Sequence, residues 1–143
     1  PEAVKENLQR FRFGGSPSHL AAMAVHGYLS EHRDEYVENV GASLKVKRDA
    51  MLAALGEYFG PGCEWSRPNG GMMVWVKLPE GADTWAALDR AVEANVKYNP
   101  GPVFRAERDG ENYLRLTYSH NTPDEIREGI AILADVFSRE GFF

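Results

Sequence analysis

The chain has 143 residues, 43% of them hydrophobic and 26% charged, a size and balance that suit one ordinary globular domain or a piece of a larger one and exclude a fibrous repeat or a disordered polymer. Its net charge of −5 comes from 16 Lys and Arg scattered among 21 Asp and Glu, so no basic stripe offers itself to a nucleic-acid backbone. Cys63 is the single cysteine, which excludes an internal disulfide, and with neither a signal-peptide pattern nor an apolar run near the ~20 residues of a membrane span, a cytoplasmic location is expected.

The chain opens Pro-Glu-Ala-Val without a methionine, as expected of a piece cut from something longer. Residues 2–12 read as a short helix, which the glycines of FGGSPSHL interrupt. Ser16 is the expected N-cap of a second helix with Pro17 at its first position. Its apolar or small stripe runs through Leu20, Met23, Ala24, Gly27 and Tyr28 to about Leu29. Asp34 is the expected cap of a third helix, in which Val37, Val40, Leu44, Met51, Leu55 and Tyr58 recur at steps of three, four or seven. Its roughly 24 residues would span about 36 Å, long for a globular helix. Gly60, Pro61 and Gly62 end it.

The texture then becomes extended. CEWS and MMVWVKL read as two strands joined by the turn RPNGG. Asp83 is placed to cap a helix carrying Trp85, Leu88, Ala91 and Val92. VKYNPGPVF follows as a proline-stiffened loop between two short extended pieces, and YLRLTYS as a further strand. The last helix has the clearest start: Thr122 at N-cap, Pro123 at N1 and Glu125 at N3 form a capping box, with Ile126, Ile130, Leu133 and Phe137 on one stripe. From Cys63 onward the order predicts an α+β layer, a small, mostly antiparallel sheet covered by helices on one face.

Three features carry chemistry. PNGGMMVWVKLP places paired glycines beside an apolar wall of Met73 and Trp75, and NPGPVF holds Phe104 in a rigid loop. In YLRLTYS the period of two sends Leu114 and Leu116 to one face and Arg115 to the other. A guanidinium fixed in a strand suits bidentate capture of a carboxylate. His19, His26, His32 and His120 lack acidic or cysteine companions at ligand spacing, so no metal site is expected.

In this order and spacing the three segments resemble the C-terminal small domain of the class I/II aminotransferases, the fold-type I pyridoxal-phosphate enzymes. That family carries a P-x-G-G-x-F/M-x-W-x-x-L-P turn and strand, a P-G-x-x-F loop and an L-R-L strand. PEAVKENL, GGSPSHLAA and the helix containing KRDAMLAAL are similar to the segment that crosses between its two domains, so the resemblance covers essentially the whole chain. It implies that residues 1–32 are the end of a large-domain segment with a crossing helix, and that 33–143 are the small domain with its long interdomain helix.

The resemblance further implies that Arg115 binds the substrate α-carboxylate, that Asn69, Gly70 and Gly71 lie along the substrate pocket, and that Gly101 and Phe104 belong to the loop closing it. Gly15, Ser16 and Ser18 match a segment that reaches the cofactor edge of the partner subunit in a homodimer. Asn95 stands where relatives have glycine, and a differently shaped turn into Val96 is expected. The lysine that forms the Schiff base with pyridoxal 5'-phosphate lies upstream in that family, and none of Lys5, Lys45, Lys47, Lys77 and Lys97 has a matching context. No catalytic residue is therefore assigned, and the chain alone is expected to be inactive and not to hold the cofactor. The parent is expected to move an amino group between an amino acid and a 2-oxo acid. The alternatives are another fold-type I enzyme (β-lyase or decarboxylase), the effector domain of an aminotransferase-like transcription regulator, or a free-standing binding module.

Overall fold

Alternation builds the sheet. In MVWVK and YLRLT every second residue points to the same face, and antiparallel pairing sets Val74 opposite Leu116 and Val76 opposite Leu114. All four are buried to 5% exposure or less. The computed structural model describes residues 17–107 and 109–143. Strands β1 (Glu64–Trp65), β2 (Met73–Lys77), β3 (Asn99–Pro100) and β4 (Tyr113–Thr117) form one four-stranded sheet in the order β1-β2-β4-β3, antiparallel throughout. A 3₁₀ turn (Gly101–Phe104) follows β3 directly.

Among the described residues three helices accompany the sheet: α1 (His19–Tyr58), α2 (Leu88–Glu93) and α3 (Pro123–Arg139). Met51 and Leu55 of α1, Ala91 of α2 and Ile126, Ile130, Leu133 and Phe137 of α3 share one hydrophobic core with the inward residues of β2 and β4. The helices thus cover one face. The other carries Met73, Trp75, Lys77, Tyr113, Arg115 and Thr117, each half-buried or exposed. This is the expected α+β small-domain architecture.

The chain falls into two compact units, Pro1–Asn39 and Val40–Phe143. In the first, the described residues from His19 on are helical and the apolar side chains Leu20, Met23, Tyr28 and Val37 are exposed. In the second, burial along α1 starts at half-buried Leu44 and deepens to Met51, Ala54 and Leu55.

Several local details differ from expectation. A single helix runs from His19 to Tyr58, with no break near Leu29 and no cap at Asp34. Neither glycine nor proline occurs between Leu29 and Asp34, and the Asp34 carboxylate pairs with the neighbouring Arg33 instead of capping. The helix is capped by Ser18, whose Oγ accepts from the Ala21 amide at 3.3 Å. Ser16, Gly15 and the helix expected over 2–12 lie outside the described residues. Asp83 does cap, accepting from the Trp85 and Ala86 amides at 2.9 and 3.0 Å, but it closes a turn, and regular helix begins only at Leu88. Asn95 adopts φ 64°. Asparagine is among the few side chains that tolerate this left-handed conformation, which the turn into Val96 uses.

Candidate functional site: an aromatic-backed arginine on the open sheet face

Arg115 occupies the centre of β4, where Trp75 of β2 stands opposite it on one side and Asn99 of β3 on the other. Its guanidinium carbon lies 4.4 Å from the centroid of the Phe104 ring, a cation–π distance. Phe104 meets Trp75 edge to face at 5.6 Å and 75°, and Trp75 stacks on Tyr113 at 5.9 Å and 23°. Both arrangements belong to the favoured geometries for aromatic pairs. The Arg115 Nε is buried and has no hydrogen-bond partner among the described residues. Arg115 takes part in none of the ion pairs among the described residues. A guanidinium packed against an aromatic ring, with no carboxylate partner among the described residues, is suited to bind a planar anion.

The loop that delivers Phe104 is set by close packing. A Cβ on Gly101 would stand 2.4 Å from the Gly110 carbonyl oxygen and 2.7 Å from the Tyr113 Cβ, so only glycine fits between β3 and the turn. Pro100 and Pro102 flank it, and both are buried. Below it Thr84, fully buried, donates its hydroxyl to the Glu111 and Tyr113 carbonyls. Tyr98 donates its hydroxyl to the Thr84 carbonyl at 2.6 Å, and burial, reinforced by Asp83, drives its phenol pKa far up.

Asn69, Gly70 and Gly71 form a second group. They border a cavity of about 220 Å³ shared with Lys45, Arg48 and Tyr118. Gly71 needs its lack of a side chain for φ 82°, whereas a Cβ on Gly70 would meet nothing within 4 Å. The Tyr118 hydroxyl donates to the Gly71 carbonyl at 2.8 Å and ties the turn to the end of β4. Burial pushes that phenol up, while nearby Arg48 pulls it partly back. Arg48 is committed to the Asp49 carboxylate and the Pro68 carbonyl.

Sequence reasoning placed Arg115, Phe104 and Trp75 in separate motifs, and the structure brings them into one contact. It missed Tyr113 behind Trp75, although Tyr113 has the parity of Arg115 in β4 and so had to share its face. It also missed Lys45, Arg48 and Tyr118 beside the glycine pair. KRDAMLAAL entered only as part of the crossing segment, and only packing brings that helix to the turn. Ser18 serves as the α1 cap.

Among the described residues the lysines do not by themselves make a holder for pyridoxal 5'-phosphate. Lys47 donates to the Ser119 carbonyl at 2.9 Å, and Lys77 borders a concavity with Glu80, Asp83 and Glu111. No lysine is a register partner of Arg115. Among the described residues no three metal-ligating side chains cluster, and no helix is long and apolar enough to cross a membrane.

No protein-family model matches the chain. It is 44% identical over 114 residues to an aromatic-amino-acid aminotransferase of Thermococcus litoralis, covering 80% of this chain and 26% of the relative. The crystal structure of LysN, an alpha-aminoadipate aminotransferase of Thermus thermophilus complexed with N-(5'-phosphopyridoxyl)-L-leucine, superposes with a TM-score of 0.77 at 38% identity, over 82% of this chain and 30% of that one. An uncharacterised HTH-type transcriptional regulator of Bacillus subtilis, YdfD, is 29% identical over 133 residues, 91% of this chain and 27% of the relative. The chain thus spans about a quarter to a third of the length of the proteins it matches. By sequence and by fold it belongs to the class I/II aminotransferases of fold type I, as a part corresponding to their C-terminal small domain.

Proposed function

We propose that this chain is the substrate-carboxylate-binding part of a pyridoxal-phosphate-dependent aminotransferase that moves an amino group between an amino acid and a 2-oxo acid. The observation that supports this most is the Arg115 guanidinium, seated on Phe104 with no acceptor among the described residues. It would hold the α-carboxylate of the donor and then of the acceptor by two parallel N–H···O bonds, so that each substrate presents its reacting carbon in the same place. The glycine turn of Asn69, Gly70 and Gly71 is a wall of the same pocket, and Gly15, Ser16 and Ser18 belong near the partner subunit of a homodimer. Pyridoxal phosphate supplies the carbanion-stabilising chemistry when bound, and its Schiff-base lysine belongs to another part of the parent.

The test is kinetic, on the full-length protein that contains this chain. A charge-assisted bond of ~1.5–3 kcal/mol predicts that Arg115→Ala raises KM for α-amino and 2-oxo acids about 10- to 100-fold. Arg115→Lys recovers only part of the loss because the fork is gone. Unchanged KM in Arg115→Ala overturns the assignment. The YdfD match supports an effector domain of a transcription regulator as the second reading, and a DNA-binding segment in the full-length protein, with no transaminase turnover, would decide for it.

A further inference from the structure

We infer that Trp75 is a positioning residue for carboxylate binding, acting on Arg115 through the Phe104 ring. This rests on the assignment of Arg115 as the carboxylate-binding residue. Phe104 is 43% exposed and ends a short 3₁₀ turn, so its backbone alone does not orient its ring. Trp75 braces that ring edge-on, and Trp75 is itself braced by stacking on Tyr113. Among the described residues the buried Nε of Arg115 has no hydrogen-bond partner to fix it. The guanidinium is therefore held by its contact with the Phe104 ring, 4.4 Å from the ring centroid, and that ring is held by Trp75. Strand register makes the arrangement obligatory: Trp75 and Arg115 are directly opposed on neighbouring antiparallel strands, where side chains on one face approach to about 5 Å.

The experiment is a double-mutant cycle on the full-length protein, with KM and kcat for one amino acid and one 2-oxo acid and the thermal midpoint of each variant. Removing the edge-to-face pair, Trp75→Leu should raise KM about 2- to 10-fold with a smaller change in kcat. Trp75→Phe, which keeps an aromatic edge, should restore KM to within about twofold of the parent value. In the Arg115→Ala background Trp75→Leu should raise KM no further, because the residue acts only through the guanidinium. Additive effects of the two substitutions, or equal KM in Trp75→Leu and Trp75→Phe, would overturn the positioning role. Should Arg115→Ala itself leave KM unchanged, the carboxylate assignment fails first, which distinguishes the two failures. A Trp75→Leu protein too unstable to assay is replaced by Trp75→Met, which keeps the bulk without the ring; a normal KM in that variant overturns the proposal.

Discussion

A methyl group at Gly101 and one at Gly70 have opposite consequences, although the proposed function assigns both residues to one substrate pocket. At Gly101 the added carbon meets backbone oxygen and the root of Tyr113. Its φ is not in the left-handed region, so the demand is for space and not for a special conformation. Overpacking of this kind costs about 1–3 kcal/mol, and Gly101→Ala should lower the thermal midpoint and also raise KM, because the displaced turn carries Phe104. At Gly70 the added methyl meets open space, and again φ is not left-handed. Gly70→Ala should leave the stability of this chain within about 0.5 kcal/mol of the parent value. A loss of substrate affinity in the full-length protein with that stability intact would mean that Gly70 is glycine for the sake of something outside the described residues. A denaturant midpoint for each variant checks both statements, and a destabilised Gly70→Ala would refute the second.

At the scale of elements, α3 shows how far local chemistry reaches. Thr122 Oγ1 accepts from the Glu125 amide at 3.3 Å, and the Thr122 amide donates to Glu125 Oε2 at 2.7 Å. The box closes in both directions, as its four residues imply. Thr122→Ala should cost about 1 kcal/mol. The backbone amide and then the hydroxyl of Thr122 hold the Glu125 carboxyl below its usual range. A depressed carboxylate stabilises the fold above its unfolded pKa, and that contribution is lost as pH falls through the folded value. The stability gap between the parent and Glu125→Gln should therefore be full at neutral pH and close in acid; denaturation curves with the same gap at both ends would refute it. In α1 the comparable reading failed at Asp34, where the residue three positions on is Val37 and no reciprocal partner exists. An isolated Asp is as compatible with a helix interior as with a cap when the flanking residues are helix formers.

For the whole molecule, the proposed function places chemistry and carboxylate binding on different parts of the parent polypeptide, with the Schiff-base lysine outside this chain. The described lysines are a backbone tether (Lys47), a neighbour of carboxylates (Lys77) or surface residues. Incubating the 143-residue chain with pyridoxal phosphate and reducing with borohydride should label no single lysine stoichiometrically; one such labelled lysine, found by peptide mapping, would refute this.

The sequence by itself determined which faces exist. Period-two alternation in β2 and β4, the i, i+4, i+7 stripe of α3 and its capping box are enforced by bonds within a few residues, and so were legible without coordinates. The separation of Arg115 from Leu114 and Leu116 onto opposite faces was legible for the same reason. Only the tertiary structure decided what Arg115 faces. Its contact with Phe104 and the brace from Trp75 join residues 11 and 40 positions apart in the chain, through a register that pairs β2 with β4 and a turn seated by Gly101. Nothing local specifies such a meeting; it follows from burying Val74, Val76, Leu114 and Leu116 on one side of the sheet, which leaves the guanidinium and its aromatic support together on the other.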